Sequence, residues 1–316
     1  MRPVQPEFRL RAIRPCAAIV SEDVNTTHPR ASEQTADYGF NLEKYLRVVG
    51  GCRPEAFDWS DPGPRLDDEA LFCLGYMMDI ESHTIIYLRE MLSTAVVEDP
   101  SITAFLSCWA YEEFFHSQVL KRLLASQGVV IDNRRFGALR RARPADYLAQ
   151  KIARLLSRVT RHFPAVHMTW GAINELSTLT GYRALSERTN HPLIVTVLGR
   201  IIKDERRHFS FYFNQARKRL QPRAAQNLTS LAVRNFWSPV GSPVRGESDA
   251  YRVCRYLFGD EFGPRRLAEH DCAIARLPGL EWFDMASRYC LGRSAARDGR
   301  RRAAQSIKSP FFDQIP

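Results

Sequence analysis

Several absences narrow the reading at once. No apolar run approaches the roughly 20 residues that a helix needs to cross a bilayer. Residues 1–20 hold Pro3, Pro6, Pro15 and several arginines but no continuous apolar stretch, so no secretion signal is expected. The seven cysteines are odd in number, scattered, and form no Cys-x-x-Cys pair. They are therefore expected to be reduced thiols of a cytoplasmic protein, neither a disulfide framework nor a zinc site. No stretch of useful length alternates apolar and polar residues, which argues against β-structure. No base-reading module is recognisable, and few aromatic residues interleave the arginine clusters, so nucleic acid is an unlikely partner by composition.

What is present is a 316-residue chain, 45% hydrophobic and 25% charged, as a globular protein requires. A core of this size can enclose a buried polar site. The formal net charge is +10. Arginine is concentrated at Arg134, Arg135, Arg140, Arg141 and Arg143, around Arg217 and Arg219, and at Arg300–Arg302. Such a surface steers acidic partners toward it.

The pattern is all-α. Residues 1–64 are rich in turn formers, such as Gly50-Gly51 and Asp61-Pro62-Gly63-Pro64, and read as irregular. Helical spacing begins near Asp67 and runs to about Thr94, with Leu71, Leu74, Met78, Ile85 and Leu88 on one face and Glu81 in the gap between them. Asp99-Pro100 predicts the start of a second helix, which ends at Gly128. A third extends to about Thr189 with a break at Pro164. Asn190-His191-Pro192 separates it from a fourth, ending before Pro222. Two short joints and one long crossover give the connectivity of a ferritin-like four-helix bundle over residues 65–222. Additional helices are expected over 223–292, and a basic, disordered tail over 293–316.

Two motifs carry the chemistry. Glu113 and His116 form a Glu-x-x-His in the second helix, and Glu205 and His208 form another in the fourth. Residues three apart share a helix face, so each pair can reach one metal ion. Each motif has an earlier glutamate on the preceding helix: Glu81 precedes Glu113 by 32 residues, and Glu175 precedes Glu205 by 30. One such motif is common by chance. Two, in hairpin order and with partners at matching distance, specify a paired metal site. Burying four carboxylates would cost several kcal/mol each without cations to offset it, as an order of magnitude. The oxygen-rich set suits two iron ions, with manganese compatible at one position.

Other residues have two readings each. Glu112 points about 100° away from Glu113 on the helix, toward the surface or behind the ligands. Asp204 either supports an imidazole from behind or is exposed. Thr178, one turn beyond Glu175, either faces an oxygen species at the metals or packs in the core. Trp109 and Phe105 are expected to line the core before Glu113.

At these residues the chain resembles the soluble acyl-carrier-protein desaturases. Trp109, Glu112, Glu113 and His116 are similar to that family's Trp-x-x-Glu-Glu-Asn-Arg-His segment. Asp204, Glu205, Arg206, Arg207 and His208 are close to its Asp-Glu-Lys-Arg-His. Glu175 and Thr178 match its Glu-x-x-Thr, and Gly75 to Met78 is similar to the Gly-Asp-Met before its first ligand. The resemblance spans about Asp67 to Leu220. It implies that Glu113 and Glu205 bridge two irons, with Glu81, Glu175, His116 and His208 as terminal ligands. It also implies a homodimer, a ferredoxin-type electron donor, and desaturation of an acyl chain on an acyl carrier protein. A hydroxylase or N-oxygenase of the same fold, or a ferritin-like iron-binding protein without an organic substrate, are the alternatives. Phe114 and Phe115 depart from the family's Asn-Arg pair. Related arylamine N-oxygenases carry an extra ligand histidine where this chain has Ile201, which argues against that branch.

Overall fold

The structure, a computed structural model, describes residues 41–132, 134–139 and 160–292. Among these residues every regular element is helical. Four long helices set the frame: α2 (Asp68–Leu92), α3 (Pro100–Ser126), α5 (Phe163–Thr189) and α6 (Pro192–Arg219). Short α1 (Leu42–Leu46) precedes them, and α4 (Arg134–Leu139) lies between α3 and α5. Five shorter helices follow: α7 (Arg223–Phe236), α8 (Ser242–Arg245), α9 (Glu247–Phe258), α10 (Gly263–Ile274) and α11 (Met285–Leu291).

Local chemistry sets the long-helix boundaries. The Asp67 carboxylate accepts from the Ala70 amide at 2.6 Å and opens α2. Asp99 accepts from the Ser101 amide at 3.0 Å, and Pro100, which has no N–H to satisfy, begins α3. Gly128 follows the end of α3 at φ +83°, a conformation that needs glycine. Asn190, at φ 44°, ends α5. His191 then accepts from the Ile194 amide at 3.4 Å ahead of Pro192.

Helix α2 packs on α3 and α5 on α6, and the pairs meet through α2–α5 and α3–α6. The buried apolar residues form two layers. One includes Met91, Phe105, Leu176 and Tyr212; the other includes Leu74, Leu120, Leu185 and Val197. Along α3 and α5 the chain passes from the first layer to the second, and along α2 and α6 it passes from the second to the first. Thus α3 and α5 run parallel. Between the layers lies a belt of buried Glu81, Glu113, His116, Glu205 and His208.

Three expectations change. The segment to residue 64 holds α1 and a 3-10 turn at Pro54–Ala56, and Tyr45 of α1 is buried in the first layer. Ile85, assigned to the buried face by its spacing, is 49% exposed. Cys254 and Cys290 are joined by a disulfide, contrary to the expectation of seven free thiols. They lie 36 residues apart on α9 and α11, which pack together, so short-range spacing carried no signal. The residue 1–40 segment, most of the basic connection, including Arg140, Arg141 and Arg143, and the tail from Arg293 lie outside the described residues. No helix among the described residues is long and apolar enough to cross a membrane.

Candidate metal centre

The four long helices bring six sequence-predicted ligands together. Glu81, Glu113, His116 and Glu205 offer one group of convergent ligand atoms. Glu113, Glu175, Glu205 and His208 offer a second. All are buried, and Glu113 and Glu205 belong to both groups.

The distances are those of ligand atoms around an ion. His116 Nδ1 stands 3.2 Å from a Glu205 oxygen, 3.8 Å from Glu81 and 3.8 Å from Glu113. His208 Nδ1 stands 3.0 Å from Glu113, 3.5 Å from Glu175 and 3.8 Å from Glu205. An octahedron with bonds of roughly 2.1 Å has edges of roughly 3.0 Å, and a tetrahedron of roughly 3.4 Å. The Nδ1 atoms of both histidines, both oxygens of Glu205, and one oxygen each of Glu81 and Glu113 are buried without a hydrogen-bond partner. Such groups are costly unless something satisfies them. The donor set fits metal ions, and these residues could hold them.

The outward nitrogens of the two imidazoles are held reciprocally. His208 Nε2 lies 2.9 Å from Glu112, which precedes Glu113, the glutamate of α3 shared by both groups. His116 Nε2 lies 3.2 Å from Asp204, which precedes Glu205, the glutamate of α6 shared by both groups. Each helix therefore orients the histidine of the other and presents its Nδ1 to the centre. Arg207 donates to both supports, at 2.6 Å to Glu112 and 2.7 Å to Asp204. Tyr45 donates to Glu112 at 2.5 Å. Trp109 Nε1 donates to Glu175 at 3.0 Å, and Tyr182 donates to Glu81. Cys52 forms a third grouping with His116 and Asp204, but burial pushes its thiol up to about 11.

The electrostatics express crowding of like charge. Burial, followed by the carboxylates of Glu81 and Glu205, raises Glu113 well above the usual range. Burial and then Glu205 raise Glu175 to about 8. Desolvation also acts to raise Glu205, but contacts with His116 and His208 outweigh it and lower this group. Burial likewise opposes protonation of both imidazoles, yet carboxylate partners around His116, and Tyr45 followed by carboxylates around His208, hold both well above the ordinary histidine range. A bound cation would displace these protons.

Asp204 and Glu112 thus occupy positions behind the histidines. The Thr178 hydroxyl donates to the Asn174 carbonyl at 2.9 Å, and the residue lines a cavity. That cavity, about 100 Å³, lies between α2, α5 and the C-terminal helices and is mainly apolar, with Met77, Ile80, Val253, Leu257 and Leu267 in its wall. Glu81 and Tyr182 form its edge toward the metal-binding residues. Sequence reasoning missed Tyr45, Arg207 and Tyr182. Tyr182 had a local signal, since it lies seven residues, or about two turns, after Glu175 on one helix face.

No protein-family model, curated protein or solved structure matches the chain.

Proposed function

We propose that this protein is a ferritin-like di-iron oxidoreductase that uses dioxygen to oxidise an organic substrate, and that the substrate is an acyl chain carried on an acyl carrier protein. The observation that carries the reading is the pair of four-residue ligand groups sharing Glu113 and Glu205, with their inward atoms lacking other partners. The parallel course of α3 and α5 supports the ferritin-like assignment. Two iron ions there would supply oxygen activation and the electrons for it. Glu112 and Asp204 would fix the imidazoles, and the two apolar layers would exclude water from the centre. The cavity edged by Glu81 supplies an apolar space beside the ligands. The proposal includes a ferredoxin-type donor and a homodimer, as the motif resemblance implies.

A second reading is favoured by one observation. At about 100 Å³ the cavity is small for a long acyl chain, which favours hydroxylation or N-oxygenation of a compact substrate. The test is mass spectrometry of acyl carrier proteins after incubation with iron-loaded protein, reduced ferredoxin and dioxygen. Loss of two hydrogens supports desaturation, and gain of one oxygen supports hydroxylation. Unchanged acyl groups despite verified iron loading and reduction would remove the carrier-protein reading. If iron is oxidised and retained, with no organic product from amines or small metabolites either, the protein is an iron-binding protein.

A further inference from the structure

The cavity has a second polar feature, unrelated to the metal ligands. Most hydroxyls in its wall are committed to backbone carbonyls. Thr178 donates to Asn174 and Thr180 to Leu176, while Tyr76 donates to Val240 and Tyr289 to Glu247. Ser177 also donates to a carbonyl, that of Ile173 at 2.7 Å, but its Oγ stands in addition 3.0 Å from His270 Nε2. His270 Nδ1 in turn lies 3.3 Å from Asp271, whose carboxylate also accepts from the Ala286 and Ser287 amides at 3.2 and 3.0 Å.

With its single hydrogen on Nδ1, toward the acceptor-only carboxylate of Asp271, His270 leaves this cluster a vacancy. A neutral ring then presents Nε2 as an acceptor toward the cavity. Ser177 has one hydrogen and two acceptors facing it, so the cluster is one donor short. The order Ser–His–Asp does not make it a hydrolytic site. Ser177 lies inside α5, where the backbone N–H groups are engaged in the helix and none is left to stabilise an oxyanion.

We propose that His270 Nε2 is the hydrogen-bond acceptor for a cavity ligand, and that the ligand is a compact apolar group bearing an O–H or N–H. An apolar cavity of about 150 Å³ holds benzene, so about 100 Å³ takes a group of that size or smaller. The same chemistry has two sources: a free alcohol or amine, or the amide and hydroxyl groups of a pantetheine arm. Naming this ligand the substrate rests on the di-iron reading; its binding does not.

The test is calorimetric titration of the full chain, as purified and after chelation, with phenol and its near-isostere toluene. Phenol should bind about tenfold more tightly, the worth of one hydrogen bond near 1.4 kcal/mol. Ser177→Ala removes the competing hydroxyl and should keep or enlarge that preference. His270→Phe should abolish it. A packing role alone would not let Ser177→Ala retain the preference while His270→Phe abolished it. Should His270→Phe fail to fold, ¹⁵N shifts of His270 in the wild-type chain decide: a neutral ring with Nε2 unprotonated supports the assignment, and two protonated nitrogens overturn it. Equal affinity for phenol and toluene, or a preference indifferent to His270, also overturns it. Butyryl-pantetheine and 1-butanol then separate the sources, and His270-dependent binding of either supports the site. Because chelated protein is used, failure of the metal reading leaves this result standing.

Discussion

Glu175→Gln should make the metal-free protein more stable while destroying the metal centre. Glu175 is buried against Glu205 and is raised from 4.5 to about 8. A carboxyl group whose folded value is raised binds more protons in the native than in the unfolded state. Its burden is therefore absent below about pH 4.5 and grows as pH rises, levelling off above about pH 8. Each pKa unit corresponds to about 1.4 kcal/mol, so near pH 7 the ionisation penalty is about 3 kcal/mol. The raised value already contains the attraction to His208, 3.5 Å away. Glutamine retains an oxygen for the Trp109 N–H. The gain of about 3 kcal/mol should raise Tm by roughly 6–12 °C in chelated protein near pH 7. Near pH 5 the gain should fall below about 1 kcal/mol. Thermal melts of chelated wild type and variant at both pH values check this, and iron addition should then stabilise only the wild type. An unchanged or lower Tm for the variant near pH 7, or a gain equally large near pH 5, would refute the reasoning.

Three further outcomes are expected. Glu113→Ala and His208→Ala should each reduce bound iron from about two per chain to less than one, at unchanged helical circular dichroism; normal iron in both would sink the ligand assignment. Glu112→Ala frees the outward nitrogen of His208 and should weaken metal affinity by about 10–100-fold, measured by chelator competition, with partial recovery in Glu112→Gln. Cys254→Ser opens a loop of 36 residues and should lower unfolding free energy by about 2–4 kcal/mol in urea titrations. A reductant should reproduce that loss in the wild type and leave the variant unaffected.

The parts legible in the sequence were those governed by neighbours along the chain. Asp67, Asp99-Pro100, Gly128 and Asn190-His191-Pro192 mark helix ends through local hydrogen bonds and backbone restriction, and the long helices begin and end close to them. The Glu-x-x-His pairs were visible because helix geometry alone puts both side chains on one face. What required tertiary structure was hidden. Glu112 looked peripheral because its direction on α3 has meaning only once α6 brings His208 opposite. Tyr45 reaches Glu112 across 67 residues from a segment dominated by turn formers. The Ser177–His270 contact spans 93 residues, and nothing near either residue announces the other. Ile85 fits the periodicity but lies on a stretch of α2 that no neighbour covers well enough to bury it.

Arg207 gives the two halves of the centre a common fate. Its guanidinium holds Glu112 and Asp204 together, and each of these fixes the imidazole of the opposite helix. A change in the tilt of one ring should thereby be felt by the other, so that orienting a histidine for a first ion would also prepare its counterpart for a second. Loading should be cooperative, with the singly occupied protein a minor species along the titration. Arg207→Ala would uncouple the two steps and let a one-ion form accumulate.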